Sequence, residues 1–134
     1  INCSNLKTIF NYSNLIFSAG SRDYGCIAYY ANKVINAPNG IIEGDFVYAN
    51  VDGVYALCGY IGNDTIITLP DNYKNENYVI GESAFENYIS LVSVTIPNSV
   101  TSIGERAFYE CRGLTKVTLN CKEINNPQQR NKHW

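Results

Sequence analysis

Two glutamates recur in the sequence with the same neighbours, and this pattern could serve acid–base chemistry. Glu82 and Glu105 each follow an Ile-Gly pair and lie 23 residues apart. Paired carboxylates act as general acid and general base in glycoside hydrolysis. A charge that recurs with a repeat is more typical of a solvated surface or of the start of a turn. We therefore interpret both glutamates as surface residues, and a carboxylate hydrolase is the least favoured of three functional hypotheses.

No nucleophile motif accompanies these glutamates. Ser83 follows Gly81, but Phe85 stands where Gly-x-Ser-x-Gly needs its second glycine. The single histidine, His133, lies in a polar segment beside Trp134. A general base must be held within hydrogen-bond distance of the proton that it takes. The sequence thus predicts no catalytic residue and no enzyme.

The cysteines and glycines do not form a recognisable cofactor site. The sequence has five cysteines, an odd number, and no Cys-x-x-Cys pair. An unactivated cysteine behaves as a small buried hydrophobic residue, so we predict reduced thiols in the core and no metal ligand. The glycines match neither dinucleotide-binding nor Walker spacing, and the aspartates lack the spacing of a calcium loop. We predict no cofactor. The cysteines are Cys3, Cys26, Cys58, Cys111 and Cys121.

The composition of the 134 residues excludes several classes of protein. Hydrophobic residues make up 46% and charged residues only 16%, which is typical of one globular domain and not of a disordered segment. The net charge of −2 provides no positive field for phosphates, so nucleic-acid binding is not predicted. No apolar run reaches the length of a membrane-spanning helix, so membrane insertion is not predicted either.

The elements that must position any site are repeats. Six identical residues recur at an offset of 23, and the same period extends forward from Leu91 to Leu119. A unit of this length supplies a strand and a short return segment, and it must stack on a neighbour to bury its apolar side. The six matches are Ile80 with Ile103, Gly81 with Gly104, Glu82 with Glu105, Ala84 with Ala107, Phe85 with Phe108 and Leu91 with Leu114.

The strand of each repeat alternates between apolar and polar residues. Val94 and Ile96 alternate with Ser93 and Thr95, so one face of the strand points inward and the other outward. An earlier copy starts at Ile67, at an offset of 27. Its four additional residues fall in the polar run Asp71–Tyr78, which predicts a surface loop.

The return segment of each repeat begins with a glycine. Gly81 and Gly104 lie where a positive φ or a close approach of two backbones would require glycine. The Ala-Phe pairs that follow predict a short turn of helix with one apolar side. If the repeats stack, Phe85 and Phe108 must point into the same interior.

The region before the repeats predicts different elements within the same single domain. Residues 22–35 have apolar residues at helical spacing, which predicts a helix. Asp45–Asn50 and Val54–Tyr60 are strand-like and flank an Asp-Gly pair, which predicts a β-hairpin. We divide the chain 1–134 into a degenerate repeat end (1–16), a helix and hairpin (17–64), the repeats (65–124) and a tail (125–134).

Together these residues resemble the BspA-like, or treponemal-type, leucine-rich repeat family, whose unit reads approximately L-x-x-V-x-I-P-x-x-V-x-x-I-G-x-x-A-F-x-x-C. An earlier copy carries Tyr88 in place of the cysteine, and a later copy carries Asn120 in place of the proline. The resemblance covers about residues 66–124. One copy matches every element through Leu91, Val94, Ile96, Pro97, Val100, Ile103, Gly104, Ala107, Phe108 and Cys111.

The resemblance implies a curved solenoid from an extracellular or cell-surface protein that binds or adheres. With the local patterns, it predicts the fold class as a β-rich α/β solenoid. This fold is a short leucine-rich-repeat array of about two full or partial repeats, with an N-terminal helix and β-hairpin.

We expect the outward strand face to bind a protein or a glycan, and the alternative is a structural spacer without a ligand of its own. The open repeat ends predict a homo-oligomer. The expected binding residues are Thr68, Ser93, Thr95, Lys116 and Thr118.

Overall fold

The computed structural model describes residues 8–13, 15, 19–20, 22, 31 and 33–120. Within these ranges the chain forms ten strands and no helix. The strands are β1 (Thr8–Asn11), β2 (Lys33–Asn36), β3 (Ile41–Glu43), β4 (Phe46–Val51), β5 (Val54–Tyr60), β6 (Ile66–Thr68), β7 (Tyr78–Ile80), β8 (Ser93–Ile96), β9 (Val100–Ile103) and β10 (Lys116–Leu119).

The strands from β5 onward alternate between two sheets. One sheet has the order β3-β4-β5-β7-β9 and the other the order β10-β8-β6, while β1 and β2 form a separate pair. All pairings among β5, β7 and β9, and among β6, β8 and β10, are parallel. The described chain therefore winds through three successive coils, where the sequence predicted about two repeats.

The α/β character and the N-terminal helix predicted from the sequence are wrong. Lys33–Asn36, at the end of the predicted helix, is strand β2 and pairs in parallel with β1. Ile35 is buried against Val47 and Ala49 of the hairpin. Packing against a sheet thus overrides the helical spacing of the apolar residues. Residues 23–30 and 32 of the predicted helix lie outside the described part of the chain.

The short helical turns predicted for the return segments are also wrong. The amides of Ser83, Phe85 and Asn87 donate to carbonyls of the next coil, at 3.0, 2.7 and 2.9 Å. Alternate amides are therefore unavailable for the i to i−4 bonds of a helix. The segment instead forms consecutive turns with positive φ at Ser83 (57°) and Asn87 (62°).

The β-hairpin predicted around Asp52-Gly53 is confirmed. β4 and β5 pair in an antiparallel manner, and the pairing extends to Val51 opposite Val54. Asp52 and Gly53 both have positive φ, at 53° and 85°. This geometry matches the right-handed twist of the flanking strands and explains the Asp-Gly pair.

The repeated apolar residues form one continuous interior. The rings of Phe85 and Phe108 stack with centroids 5.1 Å apart and an angle of 3° between their planes. In the facing sheet, Ile67 pairs with Val94, and Val94 pairs with Val117. The repeat period thus places equivalent side chains in direct contact, as the sequence predicted.

The middle and last coils approach each other closely at Gly104. The amide of Gly104 donates to the carbonyl of Ile80 at 2.7 Å. A Cβ atom at position 104 would lie 2.6 Å from the backbone nitrogen of Glu82. Gly104 is not among the glycines with positive φ. Of the two roles predicted for this glycine, close backbone approach is the one that occurs.

Candidate interaction surface

The five residues expected to bind a ligand lie on one three-stranded sheet, which we call the polar strip: Thr68, Ser93, Thr95, Lys116 and Thr118. Thr95 of β8 pairs with Thr68 of β6 on one side and with Thr118 of β10 on the other. Ser93 pairs with Lys116. Residues paired directly across strands project from the same face. The three threonines therefore form a row with steps of about 5 Å between strands.

The side chains of the polar strip retain their hydrogen-bonding capacity. Thr68 and Lys116 are exposed, and Ser93, Thr95 and Thr118 are half-buried. Within the described part of the chain, none of the five side chains forms a hydrogen bond. Hydroxyl groups both donate and accept, and lysine donates from a positive charge. The strip can therefore form hydrogen bonds with peptide groups, hydroxyls or carboxylates.

The central strand of the polar strip is backed by the core. Val94 and Ile96, which alternate with Ser93 and Thr95, are 0% and 4% exposed. The opposite face of β8 thus packs into the close-packed interior of the solenoid. A ligand would meet a preorganised row of hydroxyl groups, which lowers the entropic cost of binding.

One apolar residue on this face, Ile66, is not among the five binding residues predicted from the sequence. Ile66 pairs with Ser93, so it lies in the same row as Ser93 and Lys116. Its side chain is 70% exposed, the largest value among the exposed large hydrophobic residues described. The alternation that points Ile67 inward already requires Ile66 to point outward, and this signal could have identified it.

Glu82, Ser83 and Glu105, which were considered for catalysis, lie at the start of two adjacent return segments, and the amide of Ser83 donates to the carbonyl of Glu105 at 3.0 Å. Glu82 and Glu105 are both exposed, and Ser83 lies in a turn of the return segment. Among the described residues, no group of three or more His, Cys, Asp or Glu side chains is arranged to hold a metal ion. His133 lies outside the described part of the chain.

The two cysteines that the structure describes are free thiols in apolar surroundings. Cys111 is buried, and its Sγ donates to the carbonyl of Phe85 at 3.0 Å. Burial raises the pKa of Cys58 to about 11. Burial also raises the pKa of Cys111, against the opposing effects of a backbone hydrogen bond and Lys33. Because the thiolate is the reactive form, both side chains are structural and not nucleophilic near neutral pH.

The last coil leaves its apolar side chains partly uncovered. Val117 and Leu119 are 42% and 40% exposed, whereas the equivalent Val94 and Ile96 are 0% and 4% exposed. A cavity of about 650 Å³ lies here, and its lining includes Ile103, Phe108 and Val117. In the described chain, β9 and β10 are edge strands. This end can accept a further coil or a second molecule.

No helix of the described residues is long and apolar enough to span a bilayer. The contacts described above leave two surfaces that could bind a partner, the polar strip and the uncovered end of the last coil. Both are built from the repeats.

Two solved structures are similar to this chain. One is a leucine-rich repeat protein from Bacteroides capillosus ATCC 29799, with 34% identity and a TM-score of 0.52 over 60% of this chain and 65% of that protein's chain. The other is a leucine-rich cell surface protein from Faecalibacterium prausnitzii A2-165, with 34% identity and a TM-score of 0.54 over 69% of this chain. The present chain covers 25% of that second chain, so it spans less than two thirds of either relative.

No curated protein matches the sequence. The family model for the BspA-type leucine-rich repeat region matches residues 57–130, in six copies. This match covers just over half of the 134 residues and includes every strand from β6 to β10. The chain belongs to the BspA-type leucine-rich repeat family.

Proposed function

We propose that this chain is a non-catalytic interaction module of an extracellular or cell-surface protein, and that it binds a protein or a glycan through the polar strip. The observation that carries the proposal is the row of Thr68, Thr95 and Thr118 on three paired strands. Their hydroxyls are unpaired within the described chain, and the central strand β8 packs its other face into the core. Solenoids commonly use such extended repeat-built surfaces for recognition.

The location at the cell surface is supported by the repeat family and by one relative. The relative from Faecalibacterium prausnitzii is described as a leucine-rich cell surface protein. The non-catalytic character is supported by the raised pKa values of the two described thiols and by the exposure of Glu82 and Glu105. A location outside the cell also suits a module whose task is adhesion.

The proposal can be tested by screening the purified chain against a glycan array and a panel of immobilised extracellular proteins. For any ligand found, the dissociation constant is then measured with the variants Thr95→Arg and Thr101→Arg. Thr95 is at the centre of the strip, whereas Thr101 is an exposed threonine on β9 of the other sheet. We expect Thr95→Arg to weaken binding at least tenfold and Thr101→Arg to leave it unchanged. Equal binding by the two variants would contradict the assignment to the strip.

A second candidate function is that of a structural spacer within a longer array. The specific observation in its favour is the uncovered apolar end of the last coil at Val117 and Leu119. In this case the surface that matters is the end of the stack and not the strip. The chain would then self-associate at high concentration, and Val117→Asp would abolish the association. A monomer in light scattering at all concentrations would contradict this candidate.

A further inference from the structure

A cavity of about 260 Å³ lies at the end of the five-stranded sheet, away from the polar strip. Ile41 pairs with Tyr48, and Asn50 pairs with Tyr55. Paired residues project from the same face of a sheet, and Tyr48 and Asn50 are two positions apart on one strand. The side chains of these four residues therefore share one face, and all four line the cavity.

The polar insertion of the early repeat supplies the opposite wall. Tyr73 and Glu76 form a bridge around a tight turn in which Lys74 and Asn75 both have positive φ. The turn holds the Tyr73 ring parallel to Tyr48, with centroids 3.9 Å apart, and edge-on to Tyr55 at 5.0 Å. Four additional residues in one repeat thus build an aromatic wall on the hairpin.

The cavity is rich in unpaired hydrogen-bond donors. Tyr48 and Tyr73 are 2% and 3% exposed, and neither hydroxyl has a hydrogen-bond partner among the described residues. The Oδ1 atom of Asn50 accepts from the Gly53 amide at 2.9 Å, which leaves its NH₂ group as a donor. Neither tyrosine hydroxyl is a fully buried unpaired atom, so both oxygens remain accessible and can donate to a bound ligand.

Among the described residues, Lys74 is the only charged one that lines the cavity. Its Nζ lies 5.7 Å from the ring centre of Tyr55 and 5.5 Å from that of Tyr73. The ammonium group is therefore placed beside both rings. The phenol of Tyr48 remains a donor, because burial, followed by the charge of Glu43 and by Tyr73, raises its pKa above the usual value. Glu43 itself does not line the cavity.

We propose that this cavity binds a single sugar ring that carries a carboxylate, as in a uronic acid. The ammonium of Lys74 pairs with the carboxylate, the two tyrosine hydroxyls and the Asn50 amide donate to ring substituents, and the half-buried ring of Tyr55 packs against the apolar face of the sugar. The volume lies just below the range of about 300–1,000 Å³ for drug-sized ligands, which suits one ring and not an oligosaccharide. A neutral sugar would leave Lys74 without an anionic partner.

The experiment measures the dissociation constants of methyl glucuronide and methyl glucoside for the purified chain by ligand-observed NMR. These probes differ in the carboxylate. We expect the glucuronide to bind in the millimolar range and the glucoside at least tenfold more weakly, since a hydrogen bond between charged groups contributes about that factor. Equal affinity for the two probes, or no binding of either, would overturn the proposal.

Two variants assign the binding to the cavity. Lys74→Gln removes the charge, and we expect it to weaken glucuronide binding about tenfold while glucoside binding stays the same. The matched control Arg112→Gln removes an exposed positive charge of the last coil, outside both the cavity and the polar strip, and should have no effect. Equal effects of the two variants would overturn the assignment.

Tyr73→Phe keeps the stacked ring and removes one hydroxyl, so we expect a loss of a few-fold in affinity with the fold intact. Unchanged affinity would exclude this hydroxyl as a donor to the ligand and would contradict the proposed arrangement. A titration with inorganic phosphate separates a sugar site from a general anion site. If phosphate displaces the glucuronide at equal concentration, the proposal is wrong. Because the strip variant Thr95→Arg leaves this cavity intact, the two proposals fail independently.

Discussion

The middle and last coils of the solenoid carry the same residue types at equivalent positions, yet the environments of these residues differ. Phe85, Leu91 and Val94 of the middle coil are all 0% exposed. In the last coil, Phe108 and Leu114 are half-buried, and Val117 is 42% exposed. The difference arises because the middle coil has a neighbour on both sides and the last coil has a described neighbour on one side only. In a linear array of repeats, the contribution of a side chain to the free energy of unfolding therefore depends on the neighbouring coils as much as on the residue type.

The largest difference between the two coils is expected for the stacked phenylalanines. Phe85→Ala should lower the free energy of unfolding by about 3–5 kcal/mol, because it leaves a cavity enclosed on both sides. Phe108→Ala should cost about half as much, because its site is already open to solvent on one side. Urea unfolding of both variants measures the difference, and equal losses would contradict it. Phe85→Leu and Phe108→Leu serve as a milder pair if Phe85→Ala does not fold.

The close contact between the coils provides a second test. Gly104→Ala places a Cβ atom 2.6 Å from the nitrogen of Glu82, so the last coil must move away from the middle one. We expect a loss of about 1–3 kcal/mol in the free energy of unfolding. Ser102→Ala, at an exposed position of β9, is the control and should change stability by less than about 0.5 kcal/mol. If Gly104→Ala is as stable as the control, the coils are not in the close contact described here.

Lys33, on the hairpin side of the stack, should make the free energy of unfolding depend on pH. Lys33 donates from Nζ to the carbonyl of Tyr60 at 2.9 Å, and burial lowers the pKa of Lys33 from 10.5 to about 8, against a smaller opposing effect of Cys111. Between pH 8 and 10.5 the unfolded chain then binds more protons at this position than the folded chain. The Lys33 contribution therefore makes the free energy of unfolding rise with pH in that window, by about 1 kcal/mol per pH unit.

The variant Lys33→Met isolates this effect from other titrating groups. The pKa of Cys58 is raised from 9.0 to about 11, which makes stability fall with pH from about pH 9 upward. We therefore compare the variant with the original chain between pH 7.5 and 9 by thermal or urea unfolding. The stability of the original chain should rise relative to that of the variant as the pH increases. If the free energies of unfolding of the variant and of the original chain change with pH in parallel, the pKa of Lys33 is not lowered by folding.

The smallest expected effect concerns the ion pairs of the last coil. Arg106 reaches back to Glu86 of the middle coil at 2.9 Å, and its side chain is 51% exposed. Arg112 pairs with Glu110 within the same coil and is 75% exposed. Exposed pairs contribute about 0.2–1 kcal/mol and weaken with salt. We expect Arg106→Gln to cost more than Arg112→Gln, and the difference to vanish in 1 M salt. A larger loss of stability for Arg112→Gln than for Arg106→Gln would show that the ion pair between the coils does not stabilise their contact.

The strand register could be predicted from the sequence because it depends on a local period. Alternation at Ser93–Ile96 assigns each side chain to a face, and the 23-residue offset between Val94 and Val117 assigns its neighbour in the next coil. The row of Thr68, Thr95 and Thr118 follows from the same two facts. Their binding role stays a prediction, since a polar face is compatible with both recognition and simple solvation.

The errors all occurred where partners are distant in sequence. The segment after Gly81 resembles a helical turn locally, but its amides find acceptors in the next coil. Lys33–Asn36 forms a strand because Ile35 packs on the hairpin. The run Asp71–Tyr78 forms the exposed loop predicted for it, but its Tyr73 is buried by stacking on Tyr48, which lies 25 residues earlier. None of these contacts is encoded by a local period.

The amino-acid sequence alone determined that this chain is a stack of equivalent coils with a continuous apolar interior. Apolar side chains that recur at a fixed period are buried together when successive coils stack with equivalent residues in contact. The tertiary structure alone decided the backbone conformation of the return segments, the strand at Lys33–Asn36 and the tyrosine-lined cavity. These features depend on which hydrogen-bond partner or ring lies nearby in space, and that neighbour is known only once the coils have packed.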